Sequence, residues 1–230
     1  MGRLTGQTGV RHYWRILVIV LGLTLVTFAA LAWAAKSEQQ PGNAPVATGF
    51  LLDMSVHHNQ AITMAMQGAV KGSPEIRSTS LKIIQGQSME MGMMQAWSMP
   101  AKQYSGVKQA PMMGWMADRY ARLGVHIPAY DQFISACLTN PTQMPGMASL
   151  EELQQLQQSV GREFNRLWLQ LMIRHHEAAM VMIQFASEHA ETVQVRNLAS
   201  GMLRDQVKES AYLLTLAHRE GFSPQVANGN

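Results

Sequence analysis

Apolar residues recur every three or four positions over 50–70, which is the spacing of an amphipathic α-helix. The stretch ends at Gly72, and Ser73 followed by Pro74 supplies an N-cap and a first residue for a second helix. That helix is predicted to run to about Trp97. A connection this short makes the two helices antiparallel neighbours.

The same arrangement returns near the end of the chain. Helical spacing predicts a third long helix over about 162–189 and a fourth over 192–220, which Gly221 would end. Between the two pairs, prolines punctuate residues 98–161, and shorter helices are predicted over 112–123 and 130–137. Ser149 and Glu152 form the capping box of another short helix. Nowhere does the chain show the alternation of β-branched residues that is typical of strands.

The two long pairs are copies of one unit. A Met, a His pair, an Ala and a second Met follow one another at the same spacing in each copy. The matched residues are Met54 and Met172, His57 and His175, Ala61 and Ala179, and Met64 and Met182. On the second helix of each unit, Gln87 and Glu90 are echoed by Gln206 and Glu209. The repeat predicts an all-α, ferritin-like four-helix bundle built from two helical hairpins.

The positive charge of the chain is concentrated before an apolar run. Of 18 Lys and Arg, only Arg3, Arg11 and Arg15 precede the uncharged stretch 16–35, and the remaining 15 balance 15 Asp and Glu. This distribution argues against nucleic-acid binding. It predicts instead a transmembrane anchor with a cytoplasmic tail and the body of the protein outside the cytoplasm. A small-residue cleavage site around Trp33 leaves a signal peptide, and hence a secreted protein, as the alternative.

The predicted organisation has five parts. They are a basic tail over 1–15, an anchor or signal peptide over 16–35, a linker over 36–48, the duplicated bundle over 49–221 and a C-terminal tail over 222–230. The linker prediction depends on Pro41, Gly42, Asn43 and Pro45, which disfavour regular structure.

Methionine and histidine share one face of the first helix in each hairpin, because residues three, four and seven apart align. The candidate metal ligands of the two copies are Met54, His57, His58 and Met64, and Met172, His175, His176 and Met182. Adjacent histidines diverge by about 100°, so one of each pair can point inward and the other towards a rim. Thioether with imidazole selects Cu(I), while imidazole alone also serves Cu(II) or Zn(II). Copper is the preferred ligand; plain core packing is the alternative.

The partner helices add further candidates. Glu90 and Met94 face the first stripe, whereas the second copy has Glu209 but replaces the methionine with Leu213. The first unit is therefore predicted to be the softer metal site. Glu90, Glu177 and Glu209 could orient imidazoles from behind.

Four methionines of the second helix, at positions 89, 91, 93 and 94, are spread right around its axis. They cannot all enter one core, so part of this group is predicted to face solvent or a cleft.

Other metal chemistries do not fit the spacing. Di-iron carboxylate bundles use Glu-x-x-His, which this chain lacks, and the zincin pattern begun by His176 and Glu177 meets Met180 where a histidine is required. There is no Gly-rich phosphate loop. The one cysteine, Cys137, is either an extra soft ligand or, preferably, a small core residue.

These motifs resemble the domain-of-unknown-function 305 family over about 48–221. The resemblance is carried by the two Met-x-x-His-His segments, by Gln87 to Glu90 with Met94 and Trp97, and by Met-Pro-Gly-Met-Ala at 144–148. It implies an exported, ferritin-like bundle in a family with copper-binding members. The family motif also falls on Gln87, Gln206 and Glu209. Ala178, where glycine is usual, Leu213 and the added segment 130–140 depart from the pattern.

We expect a non-catalytic protein, since no general acid–base pair is visible. The predicted function is to sequester copper or pass it to a cuproprotein, from a position anchored to the outer face of the cell membrane. The alternative function is an accessory subunit of a membrane protein complex, in which the methionines serve protein contacts. An oxidoreductase that uses the bound metal is the third possibility.

Overall fold

The structure, a computed structural model, describes residues 17–28, 45–103 and 112–224. Within these ranges the only regular elements are helices, which confirms the all-α class. They are α1 (17–28), α2 (Pro45–Lys71), α3 (Pro74–Gln103), α4 (Gly114–Leu123), α5 (Pro128–Thr139), α6 (Leu150–Gln158), α7 (Gly161–His189) and α8 (Val193–Arg219).

Helix α1 belongs to the unit Met1–Asn43, and the remaining helices form a second compact unit, Ala44–Asn230. Among the residues that the structure describes, none of the helices combines the length and the apolar character that crossing a bilayer requires. The membrane-spanning helix predicted over 16–35 is not supported by this finding. Residues 16 and 29–35 of that prediction lie outside the described residues, as do the basic tail 1–15, the first part of the predicted linker, 36–44, and the C-terminal residues 225–230.

The second unit contains the two predicted hairpins, α2 with α3 and α7 with α8. They pack on each other through α2 and α7, which run antiparallel. The indole of Trp168, early in α7, donates to the carbonyl of Met64, late in α2, at 2.9 Å. Gly68 leaves space for this indole, because a Cβ there would lie 2.6 Å from its Nε1. Because α2 and α7, the first helices of the two hairpins, are in direct contact, both histidine pairs lie in the same interior.

The linker predicted over 36–48 is too long at its C-terminal end, because α2 begins at Pro45. Val46 and Ala47 are buried, and their backbone N–H groups donate to the two carboxylate oxygens of Glu191 at 3.2 and 3.0 Å. Free N–H groups at a helix start need such acceptors. The cap comes from a residue that follows α7, so the local sequence around Pro45 gave no sign of it.

This cap gives a test of the α2 start. Glu191→Ala leaves two N–H groups without their acceptor and is expected to lower the free energy of unfolding by about 1 kcal/mol, as N-cap losses do. Urea denaturation measures the change. Asp118→Ala, at an exposed position on α4, is the control and should stay within about 0.5 kcal/mol of the parent. Equal stability of all three proteins would contradict a capping role for Glu191.

The core falls into two clusters that meet at the histidine layer. One cluster contains Met54, Met94, Met182 and the buried faces of α4 and α5, and the other contains Met64, Trp168 and Met172. The connecting segment is fixed to this core by polar contacts. Asp53 on α2 accepts from the backbone N–H of Met113 at 2.8 Å and from the indole of Trp115 at 2.9 Å.

Helix α6 is attached to α7 directly before the second histidine pair. Its N-terminus has the predicted capping box of Ser149 and Glu152. The carboxylate of Glu152 also accepts hydrogen bonds from Nη1 and Nη2 of Arg174, at 2.8 and 2.6 Å. The guanidinium holds the pKa of this carboxyl below its usual value. This bidentate ion pair fixes α6, the last helix of the connecting segment, to α7.

Candidate metal centre

His57 of α2 and His175 of α7 stack on each other at the centre of the bundle. Their ring centroids are 3.7 Å apart and the ring planes are inclined by 37°. Both side chains are buried. Ala61 and Ala179, one turn further along each helix, are also fully buried and leave room for the rings. The two copies of the repeat therefore meet through equivalent histidines.

Both stacked imidazoles are held in the neutral form. Burial lowers the pKa of His57 well below its ordinary value of 6.5, and nearby His58 and His176 lower it further. Burial likewise lowers the pKa of His175, together with the neighbouring histidines, and a backbone hydrogen bond with His57 only partly opposes this. Neutral imidazole is the form that binds metal ions.

The stacked rings carry polar atoms that no other group satisfies. Both ring nitrogens of His57 and Nε2 of His175 lack a hydrogen-bond partner, although they are buried. The amide of Gln87 on α3 and Oε1 of Gln206 on α8 are unpartnered as well. Buried polar groups are nearly always paired, and each exception needs a physical reason. Free lone pairs on neutral imidazoles are what an incoming metal ion would use.

The second histidine of each pair has a different partner. His58 Nε2 lies 2.9 Å from a carboxylate oxygen of Glu90, and His176 Nε2 lies 3.0 Å from one of Glu209. The side chains of both histidines are fully buried, whereas those carboxylates are 14% and 28% exposed. The predicted divergence of each pair is confirmed: one ring faces its repeat across the centre, and the other reaches a carboxylate towards the rim. Glu177 is half-buried on α7.

The turns next to the histidines hold more thioethers in the first hairpin than in the second. Met54 on α2 and Met94 on α3 are fully buried in the same cluster, one turn beyond the His58–Glu90 contact. At the equivalent positions of the second hairpin, Met172 faces Leu213, and both are again fully buried. The first hairpin thus has two thioethers next to its histidines and the second has one.

Met64 and Met182 are buried but lie further away. Each is seven residues beyond the stacked histidine of its own helix, which corresponds to roughly 10 Å along the axis at 1.5 Å per residue. They belong to opposite core clusters. The structure therefore places His57 against His175, with Met54 and Met94 one turn away on one side of the pair and Met172 one turn away on the other. Met64 and Met182 lie a further turn from the pair.

The methionines of α3 are divided between core and surface, as their angular spread predicts. Met94 is fully buried, Met91 and Met93 are half-buried, and Met89 is 67% exposed. Thioethers are therefore available at the surface as well as inside the bundle.

Cys137 on α5 is a core residue. It is buried in the cluster that holds Met54. Burial, with the charge of Asp53, raises the pKa of its thiol to about 11. Thiolate is the form that binds metals and attacks electrophiles, and it is scarce at neutral pH when the pKa is so high.

The thiol should therefore be inert in the folded protein. Iodoacetamide at pH 8 is expected to modify less than about a tenth of Cys137 in the time that modifies nearly all of it in urea, because burial suppresses both access and ionisation. Intact-mass spectrometry measures the modified fraction. Equal labelling with and without urea would show that the thiol is exposed and reactive.

A short loop lies beside the stacked histidines, and its role is not visible from composition or spacing. Gly146 has a φ of 81°, and a Cβ placed there would meet Ala178 at 2.3 Å and lie 3.5 Å from the Cα of His175. Gln60 on α2 binds the other end of the loop at Ala148. The Met-Pro-Gly-Met-Ala motif indicated the loop. Nothing in the sequence indicated the role of Gln60, because it looks like any other polar residue in a helix.

Among the described residues, no group of three or more His, Cys, Asp and Glu side chains is arranged to hold a metal ion. The candidate donor set is accordingly the stacked imidazole pair together with neighbouring methionines.

The fold and the site define a class: an all-α bundle of two repeated hairpins that meet through buried histidines. The chain belongs to the DUF305 family, whose model, a domain of unknown function, matches residues 47–217. No curated protein matches the chain.

Solved structures share this fold. A DUF305 protein from Streptomyces coelicolor is 27% identical, with a TM-score of 0.62, covering 78% of this chain and 96% of its own. A DUF305 fragment from Deinococcus radiodurans is 25% identical, with a TM-score of 0.55, covering 76% and 97%. CopM in its Cu(I)-bound form is 20% identical, with a TM-score of 0.51, covering 76% and 98%. CopM has also been solved in a Cu(II)-bound form.

Proposed function

We propose that this chain is an exported, non-catalytic copper-binding protein that sequesters copper or passes it to another protein. The observation that carries the proposal is the stack of His57 on His175, two buried, neutral imidazoles with unpartnered nitrogens. Leaving such groups unpaired inside a core costs stability. A metal ion that binds these lone pairs would offset that cost and give the arrangement a use.

The donor set fits copper. Copper and zinc bind imidazole nitrogen at about 2.0–2.1 Å, so two nitrogens on one ion lie at most roughly 4 Å apart. The 3.7 Å between the rings is a distance between centroids, so the rings must turn and move apart to aim their lone pairs at one ion. Met54, Met94 and Met172 are the nearest buried thioethers along the helices. Imidazole combined with thioether favours Cu(I).

The two hairpins would contribute unequally. In the first, Met54 and Met94 flank the histidines, and in the second Leu213 removes one thioether. Cu(I) would therefore lie closer to the α2–α3 side of the centre. His58 and His176, each paired with a carboxylate, would hold the helices in register and orient the centre rather than supply its first ligands.

Two further lines support the proposal. CopM shares the fold and is known in Cu(I)-bound and Cu(II)-bound forms, so the bundle can accommodate copper. The basic tail and apolar run at the N-terminus favour export.

The test is a Cu(I) titration of the full chain in detergent against a chromogenic chelator. His57→Leu/His175→Leu should weaken the tightest site at least a hundredfold, because it removes both unpaired imidazoles while keeping apolar bulk in the core. His126→Ala is the control, since this histidine is 92% exposed instead of buried. Unchanged affinity in the double variant would overturn the proposal. Absence of tight binding in a well-folded parent would leave the accessory-subunit hypothesis.

A further inference from the structure

The loop over 144–148 crosses the seam between α2 and α7 at the level of the stacked histidines. On α2 it is held by Gln60, three residues after His57. The Gln60 amide donates to the carbonyl of Ala148 at 2.9 Å and accepts from the N–H of Ala148 at 2.7 Å. On α7 it lies against Arg174 and Ala178, on either side of His175. The loop therefore lies over the contact between the two helices, directly beside His175.

Close contact with α7 depends on Gly146. With a φ of 81°, this residue is in a conformation that favours glycine. A Cβ there would lie 2.8 Å from the carbonyl oxygen of Arg174, as well as striking Ala178. The backbone of the loop is therefore as near to the helix that carries His175 as a peptide chain can come.

The loop presents two thioethers at different depths. Met144 is 1% exposed and belongs to the cluster that contains Met54 and Ala179, whereas Met147 is half-buried at the edge of that cluster. A soft ion could move from the outer to the inner thioether and then to imidazole without being released into water.

The polar contacts divide into a permanent anchor and a small latch. The ion pair of Glu152 with Arg174 fixes α6, which follows the loop, to α7, and the same guanidinium donates to the carbonyl of Met147 in the loop at 3.4 Å. The polar hold on α2 consists of the Gln60 side chain. Releasing Gln60 would free the loop from α2 without disturbing the hairpins or α6.

We infer that this loop is the entry point for the metal ion, with Met147 as the first ligand, Met144 as the second and Gln60 as the latch. The inference rests on the proposed copper function and adds to it a route and two ligands. It makes a distinctive kinetic claim: an entry point changes the rates of loading and release together, while a ligand of the final site changes affinity.

The experiment follows Cu(I) transfer by stopped flow, from a chromogenic chelator to the full-length protein and back to excess chelator. Gln60→Ala should raise both rates about five- to tenfold and leave the affinity within twofold. Met147→Leu, which keeps volume, should lower both rates about tenfold at nearly constant affinity. Asn59→Ala, at the exposed neighbouring position on α2, is the control and should change neither rate.

Each outcome decides the matter. Rates unchanged in both variants, while binding still depends on His57 and His175, would overturn the entry point and leave the proposed function standing. A changed affinity with an unchanged loading rate would make Gln60 a structural support and would also overturn the inference. Loss of fold in Gln60→Ala leaves the decision to Met147→Leu, whose melting temperature verifies that it is folded.

Discussion

In the metal-free protein, His57→Leu/His175→Leu is expected to raise the free energy of unfolding by about 1–3 kcal/mol, although it abolishes the proposed metal site. Each stacked ring has at least one buried nitrogen without a partner. Removing an unpaired buried polar group recovers its desolvation cost, and leucine fills a similar volume.

The adjacent histidine, His58, should behave in the opposite way. His58→Leu leaves the carboxylate of Glu90 without its partner and is expected to lower the same free energy by about 1–2 kcal/mol.

The measurement is urea denaturation at neutral pH in the presence of a copper chelator, which keeps all samples metal-free. The comparison is sharp because His57 and His58 are neighbours on one helix and both are fully buried. Position, burial and residue type are therefore matched. His58 has one unpaired nitrogen, Nδ1, and one that contacts Glu90, whereas both nitrogens of His57 are unpaired. Equal destabilisation by both substitutions would show that the stacked rings contribute to packing like any other core residue, and would remove the main support for a metal centre.

A site that lowers the stability of the empty protein is consistent with function. Active and binding sites commonly retain groups that are unfavourable until the ligand arrives. Here the cost is confined to the layer where the two repeats meet, between two apolar clusters. The duplicated hairpin explains the location: the same residue in each copy faces the pseudo-symmetric contact, so one histidine in the ancestral unit yields two in the centre.

The sequence was sufficient to predict the parts of the fold that local patterns encode. Helical spacing and the Ser73–Pro74 start predicted the first hairpin, and the capping box at Ser149 predicted α6. The start of α2 was misplaced because its cap, Glu191, is distant in sequence. A contact of this kind leaves no trace in a window of neighbouring residues.

The residue types of the candidate site were predictable from the sequence, but their distances along the helix axes and their contacts across the two repeats were not. Helical periodicity placed Met54 and Met64 on one face with His57, yet it does not show how far apart they lie along the axis. Nor could it show that the stacked rings come from the two repeats, since that depends on the antiparallel packing of α2 on α7. The pairing of Glu90 with His58 was predictable, because repeated spacing on two antiparallel helices brings the same residues opposite each other.

The stability of the metal-free protein is expected to fall by roughly 2–3 kcal/mol between pH 7.5 and 5.5. His57 and His175 have folded-state pKa values well below 6.5, while in the unfolded chain they take the ordinary value. Below pH 6.5 the unfolded chain therefore binds up to two more protons than the folded protein, and each proton contributes about 1.4 kcal/mol per pH unit. Stability is fully present above pH 6.5 and is lost as the pH falls below it.

Urea denaturation of the parent and of His57→Leu/His175→Leu across this pH range isolates the effect of the two stacked rings. The pKa of His189 is also lowered, chiefly by burial, but this residue is common to both proteins and cancels in the difference. Carboxylates titrate largely below the range and cancel in the same way. The double variant should lose most of the pH dependence. Parallel pH profiles for the two proteins would mean that the rings accept protons freely in the folded state, which is incompatible with a dry, neutral imidazole pair at the centre of the bundle.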